Sequence, residues 1–481
     1  MFADRTHSII LHLERHSGII LDLSTSKRAK TRHPAGSGLK IANLPEASSI
    51  IKHLFTIDAG LRPRVQRVRF RKPDGSIGRR DFATHWIHWY PAKMFHWIPR
   101  IIMDSLSKQS KLLIFDPFCG SGTVLLEAIL KGHQAVGCDV NPIARLISQV
   151  KTNVLDPQHL NRHAASIILR ARRNASSAEP DEILDFWFKP EIRSVLQALF
   201  KSIQYVNHPQ CRDFFTVVFS SVVRRSSLAD PSMPPPVKLS LTRIKKANRK
   251  YKIDLKRARA LEPEHVYDYF RLAIEKNIQR MRELKATPRR GRARILPAGH
   301  EASRTGLKDE CVDLVVTSPP YCGAQKYVRS LRLEMLLIGI LPEEIVSADR
   351  MTLGTERILK SDVEKNHTTR LPSANRLIEQ IRSRNPVRAC MLACYINYLD
   401  EFAIELGRVL KSGGNAFVTF GTDHISGIEV DCASIFVKVA ATYGLRHIAT
   451  LVDSIPSRGL MTTRHATAGT INDERVVWLR K

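Results

Sequence analysis

The sequence predicts an α/β fold with a mostly parallel sheet of seven strands. One observation is the apolar strand pattern at Leu112–Phe115, which is followed by a glycine-rich turn and a helical pattern at Val124–Lys131. Another is the next strand, Gln134–Cys138, which ends directly on Asp139. Strand, glycine turn, helix, strand and acid in this order are typical of the nucleotide-binding half of a parallel α/β sheet.

The remaining strands of the predicted sheet follow residue 294, where helix and strand patterns alternate again. Met391–Leu410 carries apolar residues at the spacing of an amphipathic helix and stops before Gly413–Gly414. A second helix is expected near residues 431–443. Strands are expected at Arg294–Leu296, Val312–Val316, Asn415–Phe420, Leu445–Ile455 and Glu474–Leu479.

Two regions do not follow the α/β alternation. Residues 1–84 are poorly patterned and have no clear role, although the turn at Lys72–Gly75 could join a hairpin. Residues 151–294 contain helical stretches, a proline-rich patch and the run Lys238–Arg259, in which ten basic residues accompany a single acid. We therefore predict a helical, basic insertion between a first part at 85–150 and a second part at 295–481.

The charge of the chain indicates a polyanionic partner. The 481 residues include 75 Lys and Arg against 46 Asp and Glu, a formal net charge of +29. Basic proteins gain affinity for nucleic acids because their side chains neutralise phosphates and release counterions. A protein that is basic throughout for other reasons is the alternative, and charge alone does not choose between DNA and RNA.

Eight scattered cysteines indicate neither a disulfide framework nor a zinc site. Cys390 and Cys394 have helix spacing but no second Cys/His pair nearby, so no metal is expected. Low cysteine density without a signal-peptide pattern is typical of reduced thiols in a cytoplasm. Apolar runs such as Leu333–Leu341 are too short to cross a bilayer, so we expect an intracellular protein without membrane contact.

The glycine turn, Asp116–Thr123, is a candidate ligand site. It lacks the lysine of a P-loop, and a single residue separates Gly120 from Gly122, which departs from the dinucleotide-binding pattern. Asp139 at the end of the next strand can accept both hydroxyls of a ribose. Alternatively, Asp139 caps the helix that begins near Pro142.

A second candidate site is Thr317–Tyr321, which directly follows a buried strand. Two prolines make the corner stiff, so the Ser318 hydroxyl and the Pro319 carbonyl can both point at one amine. The Tyr321 ring can stack on a planar base. The alternative is an ordinary loop at a strand end with a buried tyrosine.

Together these motifs resemble the DNA amino-methyltransferases that modify cytosine-N4 or adenine-N6. The family's FxGxG motif is matched by Phe118, Gly120 and Gly122, and its (S/D/N)PP(Y/F/W) motif by Ser318–Tyr321. His88–Met94 is similar to the HxYPAKF segment of one branch, and the resemblance covers about 85–150 and 295–481. Further segments similar to the family are Val312–Thr317 and Arg408–Gly414.

The resemblance implies a Rossmann-like methyltransferase fold with S-adenosylmethionine as cofactor. It also implies direct methyl transfer to a base flipped out of duplex DNA. Thr-Ser-Pro-Pro-Tyr resembles the cytosine-N4 enzymes, whereas adenine-N6 enzymes usually carry Asp or Asn at position 318. The implied catalytic residues are Ser318, Pro319, Pro320 and Tyr321. The implied cofactor-binding residues are Tyr90, Lys93, Asp116, Phe118, Gly120, Gly122, Thr123, Asp139 and Asn141.

Several points depart from the family or stay open. Ala298–Glu301 stands where the family often has Gly-Asp-Ala, so His300 or Glu301 would have to replace the aspartate. Three histidines interleaved with tryptophans at 85–97 could form a metal or stacking site, although packing around a cofactor lid is the simpler interpretation. The basic insertion is a candidate target-recognition region.

The resemblance also implies partners and leaves other functions open. Double-stranded DNA in a bacterial or archaeal cytoplasm is the expected substrate, and a cognate restriction endonuclease is a possible partner. An RNA amino-methyltransferase of the tRNA guanine-N2 type is the nearest alternative function. A catalytically silent nucleic-acid-binding protein is a third.

Overall fold

The computed structural model describes residues 46–56, 64–70, 82–106, 111–175, 179–242, 248–288, 290–322, 326–454 and 473–481. Residues 44–481 form one compact unit. The hairpin predicted around Lys72–Gly75 lies outside the described residues. None of the helices in these ranges is long and apolar enough to cross a membrane.

The centre of the unit is a sheet with eight strands in the described residues, in the order β1-β9-β10-β6-β5-β2-β3-β4. Strand β10 is antiparallel to both neighbours, and all the other pairs in this sheet are parallel. The fold is therefore the mostly parallel α/β sheet that the sequence predicts. In chain order the strands are β1 (Arg64–Val68), β2 (Leu113–Asp116), β3 (Gln134–Gly137), β4 (Arg292–Ile295), β5 (Val312–Thr317), β6 (Leu410–Gly421), β7 (Asp423–Ile425), β8 (Ile428–Val430), β9 (Arg446–Ser454) and β10 (Asp473–Arg480). Strands β7 and β8 form a separate antiparallel pair.

Strand β1 corrects the prediction of seven strands. It comes from the N-terminal segment for which the sequence indicated no role, and it pairs in parallel with β9 at the edge of the sheet. Its sequence, Arg-Val-Gln-Arg-Val, has no apolar run. In the described part of the chain it is an edge strand, and Val65 is 74% exposed. Val68 and Phe70 are fully buried, so the segment belongs to the core.

Helices cover both faces of the sheet. One face packs against α1, α2 and α3, and the other against α15, α16 and α17. The helices are α1 (Ala47–Thr56), α2 (Trp97–Leu106), α3 (Thr123–Leu130), α4 (Pro142–Thr152), α5 (Pro157–Arg173), α6 (Glu182–Trp187), α7 (Pro190–Gln204), α8 (Pro209–Val223), α9 (Arg249–Arg259), α10 (Pro263–Ala286), α11 (Tyr327–Ser330), α12 (Arg332–Leu337), α13 (Pro342–Met351), α14 (Lys360–Glu364), α15 (Pro372–Arg382), α16 (Pro386–Val409) and α17 (Cys432–Ala441).

The region predicted as an insertion is helical and contains α5 to α10. The apolar faces of α5 to α8 and of α10 share one core with α4 and with Ile87 and Tyr90, which precede the glycine turn in the chain. Helix α9 packs in a separate small cluster. The insertion is thus packed against the cofactor half of the predicted site.

Helix α16 illustrates how the sequence sets an element boundary. The sequence pattern predicts a start at Met391, but the helix begins at Pro386, where a proline at the first position needs no hydrogen-bond partner. The Asn385 side chain accepts a hydrogen bond of 3.0 Å from the Arg388 amide and caps the helix. The buried residues on α16 then recur with helical spacing along the sheet.

The carboxyl ends of three neighbouring strands define the site. Strands β2, β3 and β5 are adjacent and parallel, so the residues that follow them meet at one edge. These are the glycine turn after β2, Asp139 after β3 and Ser318 after β5.

Candidate active site

The glycine turn has a backbone that depends on its two glycines. Gly120 and Gly122 have φ angles of +48° and +75°, which L-residues with side chains rarely adopt. A Cβ on Gly122 would lie 2.9 Å from Ser148 Oγ, so helix α4 leaves no room for a side chain. The Cys119 amide donates to the Cys138 carbonyl at 3.0 Å, which holds the turn against the end of β3.

Asp139 is held by two backbone amides. Its carboxylate accepts from Gly120 N at 2.9 Å and from Asn141 N at 2.8 Å. Burial raises the pKa of Asp139, while these two hydrogen bonds oppose the shift. The N-cap residue of α4 is Asn141, not Asp139, so the alternative of a simple helix cap does not describe this side chain.

An aromatic segment closes one side of the glycine turn. The Tyr90 ring packs on Gly120 so closely that a Cβ added to this glycine would lie 3.4 Å from the ring. The Tyr90 hydroxyl accepts a hydrogen bond from Asn141 Nδ2 at 3.3 Å. Asn141 Oδ1 is buried and has no hydrogen-bond partner among the described residues. An unsatisfied buried acceptor beside the turn is a ready partner for a ligand hydroxyl or amine.

Lys93 lies in the same aromatic segment. Its ammonium is 3.8 Å from the centre of the Trp86 ring and donates to the His85 carbonyl at 3.3 Å. Burial lowers the pKa of Lys93 to about 8, and Arg280 adds to the shift. The side chain therefore stays largely charged at neutral pH.

The histidines of this segment are packed into the core. His85 Nε2 is 2.7 Å from Glu127 Oε1, and Arg100 binds the same carboxylate at 2.8 and 2.9 Å. The His96 ring packs against His85, with ring centres 5.2 Å apart. These contacts agree with packing rather than with a metal site.

The corner after β5 faces the same space as the glycine turn. Ser318, Pro320 and Tyr321 contribute to the cavity wall, whereas Pro319 is buried and does not. The Ser318 and Tyr321 side chains share a hydrogen bond, and burial raises the pKa of Tyr321 well above its usual value. Tyr327, which follows the motif in the chain, is hydrogen-bonded to the Tyr321 backbone and helps to hold the corner in place.

One cavity, open to solvent, joins the two motifs. Gly122 does not line it, because it packs against Ser148. The predicted residues that line it are Tyr90, Lys93, Asp116, Phe118, Gly120, Thr123, Asp139, Asn141, Ser318, Pro320 and Tyr321.

The structure adds cavity residues that the motifs did not indicate. Tyr327, Tyr398 and the segment 351–353 all line the cavity. Tyr398 lies on the predicted amphipathic helix α16, but periodicity alone does not show which residues of a helix reach a ligand.

Glu301 and His300, the two residues that could stand in for the family's aspartate, differ in their access to the cavity. Glu301 lines the cavity, and its Oε2 accepts from the Tyr398 hydroxyl at 3.4 Å. His300 instead bonds the Thr305 carbonyl through Nδ1 at 2.8 Å and does not line the cavity. Of the two replacements that the sequence offered, the structure favours Glu301.

A model of the RMKL-like methyltransferase domain matches residues 90–189, which include Tyr90, the glycine turn and Asp139. The type II methyltransferase M.MvaI of Kocuria varians is 25% identical over 415 residues, covering 80% of this chain and 87% of that protein. M.AvaI, a type II methyltransferase of Nostoc sp., is 23% identical and covers 70% of this chain and 74% of that protein.

Among solved structures, a SAM-dependent methyltransferase of Methanosarcina mazei is 10% identical and covers 82% of this chain and 98% of that chain, with a TM-score of 0.27. A TM-score this low supports no structural conclusion. The matched domain model and these relatives show that the chain is similar to methyltransferases, in agreement with the family that the motifs predict. The cytosine-N4 branch stays a prediction.

Proposed function

We propose that this chain transfers a methyl group from S-adenosylmethionine to the exocyclic N4 amine of cytosine in duplex DNA. The observation that carries the proposal is that Ser318 and Asp139 line one cavity. A group bound along the glycine turn would therefore lie next to the corner that receives the amine. The kinship with type II methyltransferases supports DNA as the substrate.

The residues around the glycine turn fit the cofactor. Asp139 is fixed by two amides and keeps free lone pairs that can accept ribose hydroxyls, and Asn141 Oδ1 is an unsatisfied acceptor next to it. Tyr90 and Phe118 supply aromatic walls, and Glu301 supplies a second carboxylate. When bound, S-adenosylmethionine supplies an electrophilic methyl group on a sulfonium.

The corner Ser318–Tyr321 would activate the amine by position. The lone pair of an aromatic amine is delocalised into the ring, so the nitrogen must be drawn toward tetrahedral geometry before it can attack. Ser318 Oγ, which lines the cavity, would accept one of its hydrogens. The family resemblance assigns the other hydrogen to the Pro319 carbonyl, and because Pro319 does not line the cavity, the corner would have to shift to present that carbonyl. Tyr321 would stack on the base. Such catalysis is mainly positioning and needs no covalent enzyme intermediate.

The depth of the site supports base flipping. Thr317 is fully buried and Ser318 is partly buried at the carboxyl edge of the sheet. A cytosine stacked in a duplex cannot bring its amine to this corner, so the base would have to leave the helix.

The basic insertion is the proposed DNA contact. Helix α9 packs Leu255 and Ala258 on Leu239 and exposes five of its cations to solvent. These are Arg249, Lys250, Lys252, Lys256 and Arg259. Phosphate contacts of this kind position a protein on DNA without reading its sequence. A restriction endonuclease of the same specificity is a proposed partner.

The proposal is tested by nucleoside mass spectrometry of DNA from cells that express the chain. N4-methylcytosine is the expected product, and cells expressing the Ser318→Ala variant are the matched control. N6-methyladenine alone would show that the base is wrong while the enzyme class is right.

A separate assay distinguishes DNA from RNA. Purified protein with labelled S-adenosylmethionine should label duplex DNA and not tRNA. Label in tRNA alone would overturn the proposal in favour of an RNA enzyme, and cofactor binding without any transfer would favour a silent binding protein.

A further inference from the structure

A cluster of two cysteines on α16 and one histidine from a preceding segment lies apart from the residues assigned above. Cys390 and Cys394 are four residues apart on the helix, so their side chains share one face. His367 comes from the segment between α14 and α15. The two thiol sulfurs and a ring nitrogen of His367 all lie within 4.8 Å of one another.

The backbone at His367 and at the next residue is hydrogen-bonded to neighbouring helices. The Arg382 guanidinium of α15 donates to the His367 carbonyl at 3.3 Å. Asn397 of α16 donates to the Thr368 carbonyl at 3.0 Å. The histidine is therefore held over the helix face that carries the two cysteines.

His367 Nε2 is the unexplained atom of the cluster. It is buried, and it has no hydrogen-bond partner in the part of the chain that the structure describes. Buried polar nitrogens are nearly always satisfied, so a missing partner calls for a cause. A metal ion bound by the neighbouring thiolates would satisfy it.

We propose that His367, Cys390 and Cys394 bind a thiophilic divalent cation, with zinc the metal that suits them best. Zinc binds cysteine sulfur at about 2.3 Å and histidine nitrogen at about 2.0–2.1 Å in tetrahedral sites. These lengths place ligand atoms about 3.5–3.8 Å apart, so side-chain movements of about 1 Å close the cluster. Three protein ligands leave one position for water or another donor.

The charges around the cluster are compatible with a cation. Two thiolates neutralise a divalent ion, and Asp362 acts electrostatically on both cysteines. The cations Lys365 and Arg382 also face this region, but Lys365 is paired with Asp362 at 3.0 Å and Arg382 with Glu379 at 3.0 Å.

The sequence alone did not indicate this site. Metal motifs are recognised by two closely spaced pairs of ligands, and here the third ligand precedes the cysteine pair by more than twenty residues. Only the packing of the 360–371 segment on α16 brings His367 to the cysteines.

The site would stabilise one wall of the cavity. The segment that supplies His367 follows Met351–Leu353, which line the cavity, and α16 also carries the cavity residue Tyr398. A metal ion that ties this segment to α16 would hold both parts of the wall together. The role is structural and does not require the ion to touch a substrate.

The test is metal binding by the full-length protein. Purified protein is stripped with a chelator and titrated with Co²⁺, whose thiolate charge-transfer and tetrahedral d–d absorption report the ligands directly. Zinc is then added to displace the cobalt and to measure affinity in competition with a chromogenic chelator. We expect one equivalent per chain and a rise in melting temperature on zinc addition.

Three variants and one control sharpen the test. His367→Asn, Cys394→Ser and Cys390→Ser should each weaken zinc binding at least tenfold, while Cys311→Ser, which lies outside the cluster, should bind as the wild type does. Circular dichroism of the chelator-treated variants identifies any that fail to fold, and His367→Asn, which changes a partly buried loop residue, decides the test in that case.

The proposal is overturned by any of three results. These are absence of a thiolate–cobalt band, wild-type affinity in His367→Asn and Cys394→Ser, or a Cys390–Cys394 disulfide in the freshly purified protein. None of these results depends on methyl transfer, so the metal site and the proposed function fail separately.

Discussion

The Thr317 hydroxyl donates a hydrogen bond of 2.6 Å to Asp116 Oδ1, and this bond joins the two motifs of the site. Thr317 ends β5 directly before Ser318, and Asp116 ends β2 at the start of the glycine turn. The Phe118 amide donates to the same oxygen at 3.2 Å. The two halves of the site are thus linked through one buried carboxyl group.

Asp116→Asn should change how stability depends on pH. Burial raises the pKa of Asp116 from 3.8 to about 7. Between about pH 4 and 7 the folded state therefore binds more protons here than the unfolded state, so wild-type stability falls as the pH rises. Asparagine does not titrate. The free energy of unfolding of the variant should therefore rise relative to that of the wild type by up to about 4 kcal/mol as the pH increases across this range.

Urea unfolding between pH 4.5 and 8 measures this difference. The exposed Asp309→Asn variant is the control and should follow the wild-type curve. Parallel curves for Asp116→Asn and the wild type would show that the carboxyl ionises normally in the folded protein.

Gly122→Ala should destabilise the protein more than Gly299→Ala. Both glycines have positive φ angles, +75° and +89°, so both variants incur the backbone strain of about 1–2 kcal/mol. Only at Gly122 would the new methyl group meet Ser148, whereas nothing lies within 4 Å at Gly299. Denaturant unfolding of the pair isolates the steric contribution, and equal losses would contradict the close approach of α4.

Asp139→Asn should weaken cofactor binding. The carboxylate is oriented by the Gly120 and Asn141 amides, and an amide nitrogen in its place would face one of these donors. We expect the Kd for S-adenosylmethionine to rise at least tenfold in isothermal titration calorimetry. An unchanged Kd would exclude Asp139 from the cofactor site, and Asp309→Asn again provides the matched control.

Ser318→Ala should lower turnover and leave cofactor binding nearly unchanged. Removing one positioned hydrogen-bonding group from an active site typically costs a hundredfold or more in kcat. Radiolabel transfer to duplex DNA gives kcat, and calorimetry gives the cofactor Kd. Turnover like that of the wild type, or like that of the exposed-serine control Ser347→Ala, would remove Ser318 from its proposed role.

Lys252→Glu and Lys256→Glu should weaken DNA binding without a change of sequence preference. Both side chains are on the exposed face of α9. Each lost phosphate contact should reduce the slope of log Kobs against log salt concentration by about 1. Fluorescence anisotropy at several salt concentrations measures the slope. The control is Lys360→Glu, which changes an exposed lysine on α14 and should leave the slope unchanged. If this control reduced the slope equally, the effect would reflect the net charge of the protein and not a DNA contact of α9.

The sequence predicted those parts of the site that depend on local pattern. Apolar runs placed β2, β3 and β5, and the residues directly after them, Asp139 and Ser318, therefore had to lie at one edge of a parallel sheet. The same reasoning placed the glycine turn at the start of α3. This reasoning did not find strand β1, because an edge strand with only two apolar residues has no apolar run by which to recognise it.

By itself, the sequence determined the fold class, the glycine turn and the corner Ser318–Tyr321, because backbone conformation and strand-end position are encoded by neighbouring residues. Only the tertiary structure decided that Glu301 rather than His300 lines the cavity and that Tyr398 joins it. The same holds for the approach of His367 to Cys390 and Cys394. These contacts depend on how distant helices and loops pack, which no local spacing records.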